Sequence, residues 1–180
     1  GMLYIPSHIN LCSEYGGAGT LDKLKPGELW LSVPVDVVFA SLRFSDKVDQ
    51  TKPVPTGSLQ AFDIKTGKRV WETNFNDTPF WAPLLTTGGN LVFAGGTADR
   101  KFRAMNASSG KILWETSMPS GVTGVPSSYS VDGTQYIAVQ AGWGVDAERM
   151  HALMQKILPA DRKLPTVPQG GSIWVFALKK

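Results

Sequence analysis

The 180-residue sequence offers three sets of side chains whose types and spacing could do chemistry. His8, Cys12 and Glu14 put a base, a thiol and a carboxylate within seven positions, the makings of an activated nucleophile. No oxyanion-hole pattern accompanies them and no third group orients the base, so covalent catalysis is not expected there. Asp146, Glu148 and His151 offer metal-type donors. Asp146 is better explained as the N-cap of a following helix, and Glu148 and His151 as a solvated helical face. The third set is aromatic and comprises Trp71, Trp81, Trp114 and Trp143. Gly88-Gly89 and Gly95-Gly96 read as turn glycines, because no helix follows to complete a phosphate cradle. No catalytic residue and no metal ligand is assigned from the sequence.

Composition narrows the classes. One cysteine and two distant histidines exclude a zinc-finger spacing and an intramolecular disulfide, leaving the redox compartment open. The net charge of +3 comes from scattered residues, which argues against nucleic acid, a ligand that needs a concentrated basic stripe. The longest apolar stretch, Leu29 to Leu42, is broken by Pro34 and Asp36 and falls short of the roughly 20 residues that span a bilayer. No membrane span and no signal peptide is expected in this stretch of chain. With 42% hydrophobic residues, 19 glycines and 12 prolines set between short apolar runs, the chain reads as strands and turns.

An internal repeat organises those strands. Ala61-Phe62-Asp63-Ile64-Lys65-Thr66-Gly67-Lys68-Arg69-Val70-Trp71-Glu72-Thr73 recurs 43 residues later as Ala104 to Thr116, with six of 13 positions identical. Each copy reads as strand, tight turn, strand: Asp63 or Asn106 opens the turn and Gly67 or Gly110 takes the φ > 0 position. Trp71 and Trp114 recur at the repeat period, so they are expected to pack between units with the indole N–H bonded to a neighbouring backbone. A wider comparison finds three strand pairs: 3–6 with 58–62, 91–94 with 101–105, and 136–139 with 172–176. A period of 40 to 50 residues with several strands per unit marks a β-propeller blade. The expectation is an all-β chain, a single partial propeller over 1–180 of about three to four antiparallel four-stranded blades. Inserts at about 7–56 and 142–170 emerge on one face, the later one carrying a short helix that Pro159 stops; function is expected on that face. Three to four blades are too few to close a propeller, which predicts self-association as a homo-oligomer or pairing with a chain that supplies missing blades.

The repeat Ala-x-Asp-x-x-Thr-Gly-Lys-x-x-Trp-Glu at Ala61 to Glu72 is similar to the tryptophan-docking motif of quinoprotein alcohol dehydrogenases, eight-bladed propellers that bind pyrroloquinoline quinone (PQQ). The resemblance continues through Phe80-Trp81-Ala82-Pro83, Asp132-Gly133-Thr134, the Gly-Trp-Gly at 142–144 and Trp174-Val175-Phe176-Ala177-Leu178. It covers nearly the whole chain and points to the C-terminal third of the methanol/ethanol dehydrogenase branch. It implies oxidation of a primary alcohol to an aldehyde, with PQQ as hydride acceptor beside a calcium or lanthanide ion, in a periplasmic family. The metal ligands and the catalytic base belong to earlier blades, so the chain alone is expected to be an inactive fragment. Trp81 matches a tryptophan whose main chain contacts the cofactor. Asn10 lies near a cofactor-binding amide, a place His8 equally fits, and Trp143 resembles an aromatic that closes the substrate pocket. The alternative is a non-catalytic, self-associating propeller fragment or scaffold that binds a partner.

Overall fold

The computed structural model describes residues 1–13, 25–27 and 42–177. In chain order the strands begin with β1 (Met2–His8), β2 (Leu11–Cys12), β3 (Arg43–Phe44), β4 (Pro55–Asp63) and β5 (Arg69–Asn76). They continue with β6 (Leu85–Thr87), β7 (Leu91–Ala94), β8 (Lys101–Asn106), β9 (Ile112–Ser117), β10 (Ser127–Val131), β11 (Thr134–Gly142) and β12 (Gly171–Ala177). Helix α1 (Val145–Ile157) and a single 3-10 turn at Ala160–Arg162 lie between β11 and β12.

Three antiparallel sheets follow one another as blades of a partial β-propeller. Their strand orders are β1-β4-β5, β6-β7-β8-β9 and β10-β11-β12; β2 and β3 form a separate small ladder. The middle blade has four strands and its neighbours have three each among the described residues. Register relates the copies: Leu3 pairs with Phe62, Val92 with Met105 and Ile137 with Phe176, so these pairs occupy equivalent places.

The repeated turns form as their residues dictate. Asp63 Oδ1 accepts hydrogen bonds from the backbone N–H groups of Lys65 and Thr66 at 2.9 and 2.8 Å, and Gly67 takes φ 68°. Those bonds, chiefly from Thr66, hold the Asp63 carboxyl below its ordinary pKa. Asn106 does the same for Ser108 and Ser109 at 3.0 Å each, with Gly110 at φ 71°. An acceptor side chain at the first position and a left-handed residue at the last are what this turn requires.

Burial lies between blades. Leu59, Phe75 and Phe80 meet Val92, Ala94 and Met105 across the first gap; Phe93, Phe102 and Ala104 meet Ile137, Val139 and Ala141 across the second. Fully burying one such side chain contributes about 1.5–3 kcal/mol, so these two seams dominate the stability. Arg103 is buried at the first seam, its guanidinium 5.1 Å over the Phe75 ring and paired with Asp99 and Glu115.

The outward faces of the first and third blades carry the same kind of residue without the same cover. Leu3 is 52% exposed where its counterpart Val92 is 0%, and Ile173 is 78% exposed where its counterpart Phe102 is 0%. The two inserts meet each other: Leu42, Phe44 and Val54 of the first pack on Met154 and Leu158 of the second. Arg162 reinforces the join by donating to the Gln50 carbonyl at 3.0 Å and to the Lys52 carbonyl.

Two details of α1 differ from expectation. Its N-cap is Gly144; Asp146 lies inside the first turn, where it pairs with Arg149 at 3.4 Å. A carboxylate there still favours the positive end of the helix dipole without capping it. His151 is buried, not solvated, because Ala147, His151, Met154 and Leu158 share one stripe of the helix turned toward the protein. Trp71 donates its indole N–H to the Ala107 carbonyl of the next blade at 2.9 Å. Trp114 is 41% exposed and stands edge-on to Phe176, with ring centroids 5.2 Å apart. The position equivalent to Ala107 in the third blade is Leu178, which lies outside the described residues.

Candidate aromatic pocket

The candidate site is built from the loop after β5, the end of β11 and helix α1. The loop is fixed first at Asp77, which exchanges backbone and side-chain hydrogen bonds with Val54: Asp77 N to Val54 O at 2.7 Å and Val54 N to Asp77 Oδ1 at 2.9 Å. Thr78 Oγ1 accepts from the Ala98 N–H at 2.9 Å and donates to the Pro79 carbonyl at 3.3 Å. Trp81 is then held by its own backbone, whose N–H donates to the Gly96 carbonyl at 3.0 Å. Gly96 has φ 79°, and a Cβ there would lie 2.2 Å from Ala82 N, so only glycine permits this approach.

On the other wall, Trp143 sits between Gly142 and Gly144 where β11 passes into α1. Its ring packs directly against Gly121: a Cβ on Gly121 would be 1.9 Å from Trp143 Cε3. Trp81, Ala98, Trp143, Ala147, Leu164 and Val167 form one hydrophobic cluster. Thr78, Trp81, Trp143, His151 and Leu164 line a narrow crevice inside it that is too tight to admit a water molecule. Trp143 also lines a wider, open cleft of about 480 Å³ with Thr123, Gln140, Gln169 and a run of glycines.

Of the residues singled out from sequence, Trp81 and Trp143 therefore come together. His8, at the end of β1, joins Trp81 edge to face, with ring centroids 4.6 Å apart. Burial pushes its pKa below the ordinary 6.5, against the opposing effect of a hydrogen bond to the Phe80 backbone. Asn10 is placed differently: it has φ 58° and spends its amide on the Pro55 carbonyl at 2.9 Å, pinning the start of the first insert to β4. Of the two candidates for the cofactor-facing place, His8 is thus the one beside Trp81. Cys12 is a free thiol in β2, and Glu14 lies outside the described residues.

His151 was missed by treating α1 as solvated on that side. The spacing 147, 151, 154, 158 was the available signal, since i, i+4, i+7, i+11 defines a buried stripe. Its ring is edge-on to Trp143 at 6.3 Å, and burial lowers its pKa while the Glu148 carboxylate acts to raise it. Trp143 Nε1 and His151 Nδ1 are buried without hydrogen-bond partners.

Neither metal nor quinone finds a full set of partners here. Among the described residues no three His, Cys, Asp or Glu side chains gather as metal ligands. Among the described residues no arginine or lysine lines the crevice, and PQQ is a planar tricycle carrying three carboxylates. Two aromatic rings and a neutral imidazole can offer such a molecule contact on one side, but not the charge to hold it.

Residues 74–137 match the family model "Glucose/ethanol/alcohol dehydrogenase, beta-propeller domain". Over 122 residues, 68% of this chain, the sequence is 43% identical to a quinoprotein ethanol dehydrogenase of Pseudomonas putida and 44% identical to one of Pseudomonas aeruginosa. Among solved structures it is similar to a europium-containing methanol dehydrogenase, with TM-score 0.70 and 26% identity, covering 99% of this chain and 31% of that one. It is also similar to the quinohemoprotein alcohol dehydrogenase of Comamonas testosteroni, with TM-score 0.55 and 32% identity over 80% of this chain and 21% of that one. The aligned part spans 18% of the length of each of the two ethanol dehydrogenases.

Proposed function

The sequence and fold are those of the C-terminal part of a PQQ-dependent alcohol dehydrogenase, and from that premise we propose that this chain supplies one wall of a quinone pocket and none of its reacting groups. The observation that carries the reading is the meeting of Trp81 and Trp143 around one crevice, from loops 62 residues apart in sequence. In it Trp81, backed by His8, faces the cofactor, and Trp143 closes the alcohol side. Asn10 keeps the insert in place and contributes indirectly. PQQ supplies the hydride acceptor when bound, and a calcium or lanthanide ion belongs with it. The cationic partners of its carboxylates, the metal ligands and the base come from blades outside this chain. Trp71 serves as a docking tryptophan between the first two blades.

The physical reason for inactivity alone is that positioning and electrostatic stabilisation supply most of such a rate enhancement, and both depend on those missing groups. Dye reduction by the purified chain with PQQ, calcium or a lanthanide and a primary alcohol tests this. The rate should equal the protein-free blank; alcohol-dependent, saturable turnover would show that the chain is complete for catalysis.

A second reading has its own observation. Leu3 and Ile64 on the first blade, and Ile173 and Val175 on the third, are exposed at places that are buried in the middle blade. Those faces suit a further blade from a second copy or a complementing chain, so the fragment also functions as a partner-binding propeller segment. Solution mass tests it: a dilution-resistant monomer that binds no apolar dye contradicts it.

A further inference from the structure

Both seams inside the chain are built from the same two unlike halves. In the first, Val92, Ala94, Met105 and Ala107 of the middle blade are buried on Leu59 and Phe75 of the blade before it. In the second, Ile137, Val139 and Phe176 of the third blade meet Phe102 and Ala104 of the middle one. Register carries each half to a face that has no blade against it among the described residues. On the first blade Leu3 pairs with Phe62 as Val92 pairs with Met105; Ile5 follows Leu3 as Ala94 follows Val92, and Ile64 follows Phe62 as Ala107 follows Met105. On the third blade Ile173 and Val175 hold the places of Phe102 and Ala104. Tyr136 holds the place of Leu91 and stacks on Tyr129, with ring centroids 5.4 Å apart. None of these side chains is charged, and Leu3, Ile64, Tyr129, Ile173 and Val175 are exposed. The first and third blades thus present the two complementary halves of one more seam.

Resting on the partner-binding reading above, we propose that the partner is a second copy of this chain, bound head to tail through two equal seams. The Leu3 face of each copy docks on the Ile173 face of the other. Contact between like faces fits less well, because the half that carries Leu3, Val92 or Ile137 meets the half that carries Leu59 or Phe102 in both internal seams and never its own kind. Three blades from each copy make six, within the range of about four to eight with which propellers close. Two copies therefore use up both faces of both chains, and the assembly stops there instead of growing into a filament. The middle strands of each blade supply most of the seam, and all three blades have them.

The test is sedimentation equilibrium of the full chain over a wide dilution range, alone and with Leu3→Lys or Ile173→Asp. Both positions are exposed, so neither substitution puts a charge into the core of one copy, and circular dichroism checks that each variant folds. The unaltered chain should run at twice the chain mass. Each substitution alone should raise the dissociation constant about tenfold or more, because its homodimer sets a charge against an apolar face in both seams. An equimolar mixture of the two variants should dimerise again, since one seam is then unaltered and the other brings lysine and aspartate to opposite sides. A dimer weakened by only one of the two substitutions is a like-face contact and overturns the proposal. So does a mass that keeps growing with concentration, or a mixture that stays monomeric. A monomeric unaltered chain that binds an apolar dye overturns the second copy as partner and leaves the partner-binding reading standing; a monomer that binds no dye overturns both.

Discussion

The indole N–H of Trp71 donates to the Ala107 carbonyl at 2.9 Å, and the same ring covers Gly110 so closely that a Cβ there would stand 2.5 Å from Trp71 Cε3. One copy of the repeat thus seats its tryptophan on the turn of the next. Thr73 Oγ1 donating to Gly110 O at 2.9 Å and Tyr4 OH donating to Ala107 O at 3.1 Å complete the joint.

Trp71→Phe keeps much of the apolar contact and removes the hydrogen bond, so a loss of about 1–2 kcal/mol is expected. Trp114→Phe, at an exposed position, should cost less than about 0.5 kcal/mol. Urea unfolding of the two variants checks the ranking, and equal losses contradict the account of the joint.

Gly96→Ala should destabilise by about 2–5 kcal/mol, since a left-handed backbone and a collision with Ala82 N act together. Gly67→Ala has the same sign of φ but nothing within 4 Å, and should cost only about 1–2 kcal/mol. Gly96→Ala alone should also change Trp81 fluorescence, because that glycine's carbonyl holds the Trp81 backbone.

Stability should fall on mild acidification. His8 and His151 both have pKa values lowered chiefly by burial, so below the ordinary imidazole value of 6.5 the unfolded chain binds protons that the folded chain refuses. Their contribution is present in full above that value and is lost as the pH falls from there through the lowered folded-state values. Melting temperatures at pH 7.5, 6.5 and 5.5 check this, and His151→Phe should flatten part of the slope.

Arg103→Met removes a buried guanidinium but leaves its partners Asp99 and Glu115 with access to water. The expected loss is therefore about 1–3 kcal/mol, less than for a pair stranded in a dry core. Denaturation at two salt concentrations reads it, and a stabilised variant would show that the pair was not a net contributor.

The blades were legible in the sequence because each turn is dictated locally: Asp63 and Asn106 accept, Gly67 and Gly110 turn, and strands of alternating residues follow. Trp81 and Trp143 were legible through the motifs around them. What sequence could not supply was their meeting, which depends on how the second insert folds back over the loop after β5. Asn10 looked available because the partner of its amide, the Pro55 carbonyl, lies 45 residues away in sequence. His151 was read as solvated because Glu148 and Arg149 beside it are polar, whereas the stripe from Ala147 to Leu158 decides which way the helix turns.

The most direct measurement of the central claim is complementation. A quinoprotein ethanol dehydrogenase shortened by the segment homologous to this chain is mixed with the purified chain, association is verified by co-elution, and PQQ-dependent dye reduction with ethanol is followed. The account predicts that the associated pair regains alcohol-dependent turnover and that Trp81→Ala or Trp143→Ala in this chain lowers it at least tenfold. A co-eluting pair with no activity, or full activity with either tryptophan removed, contradicts it.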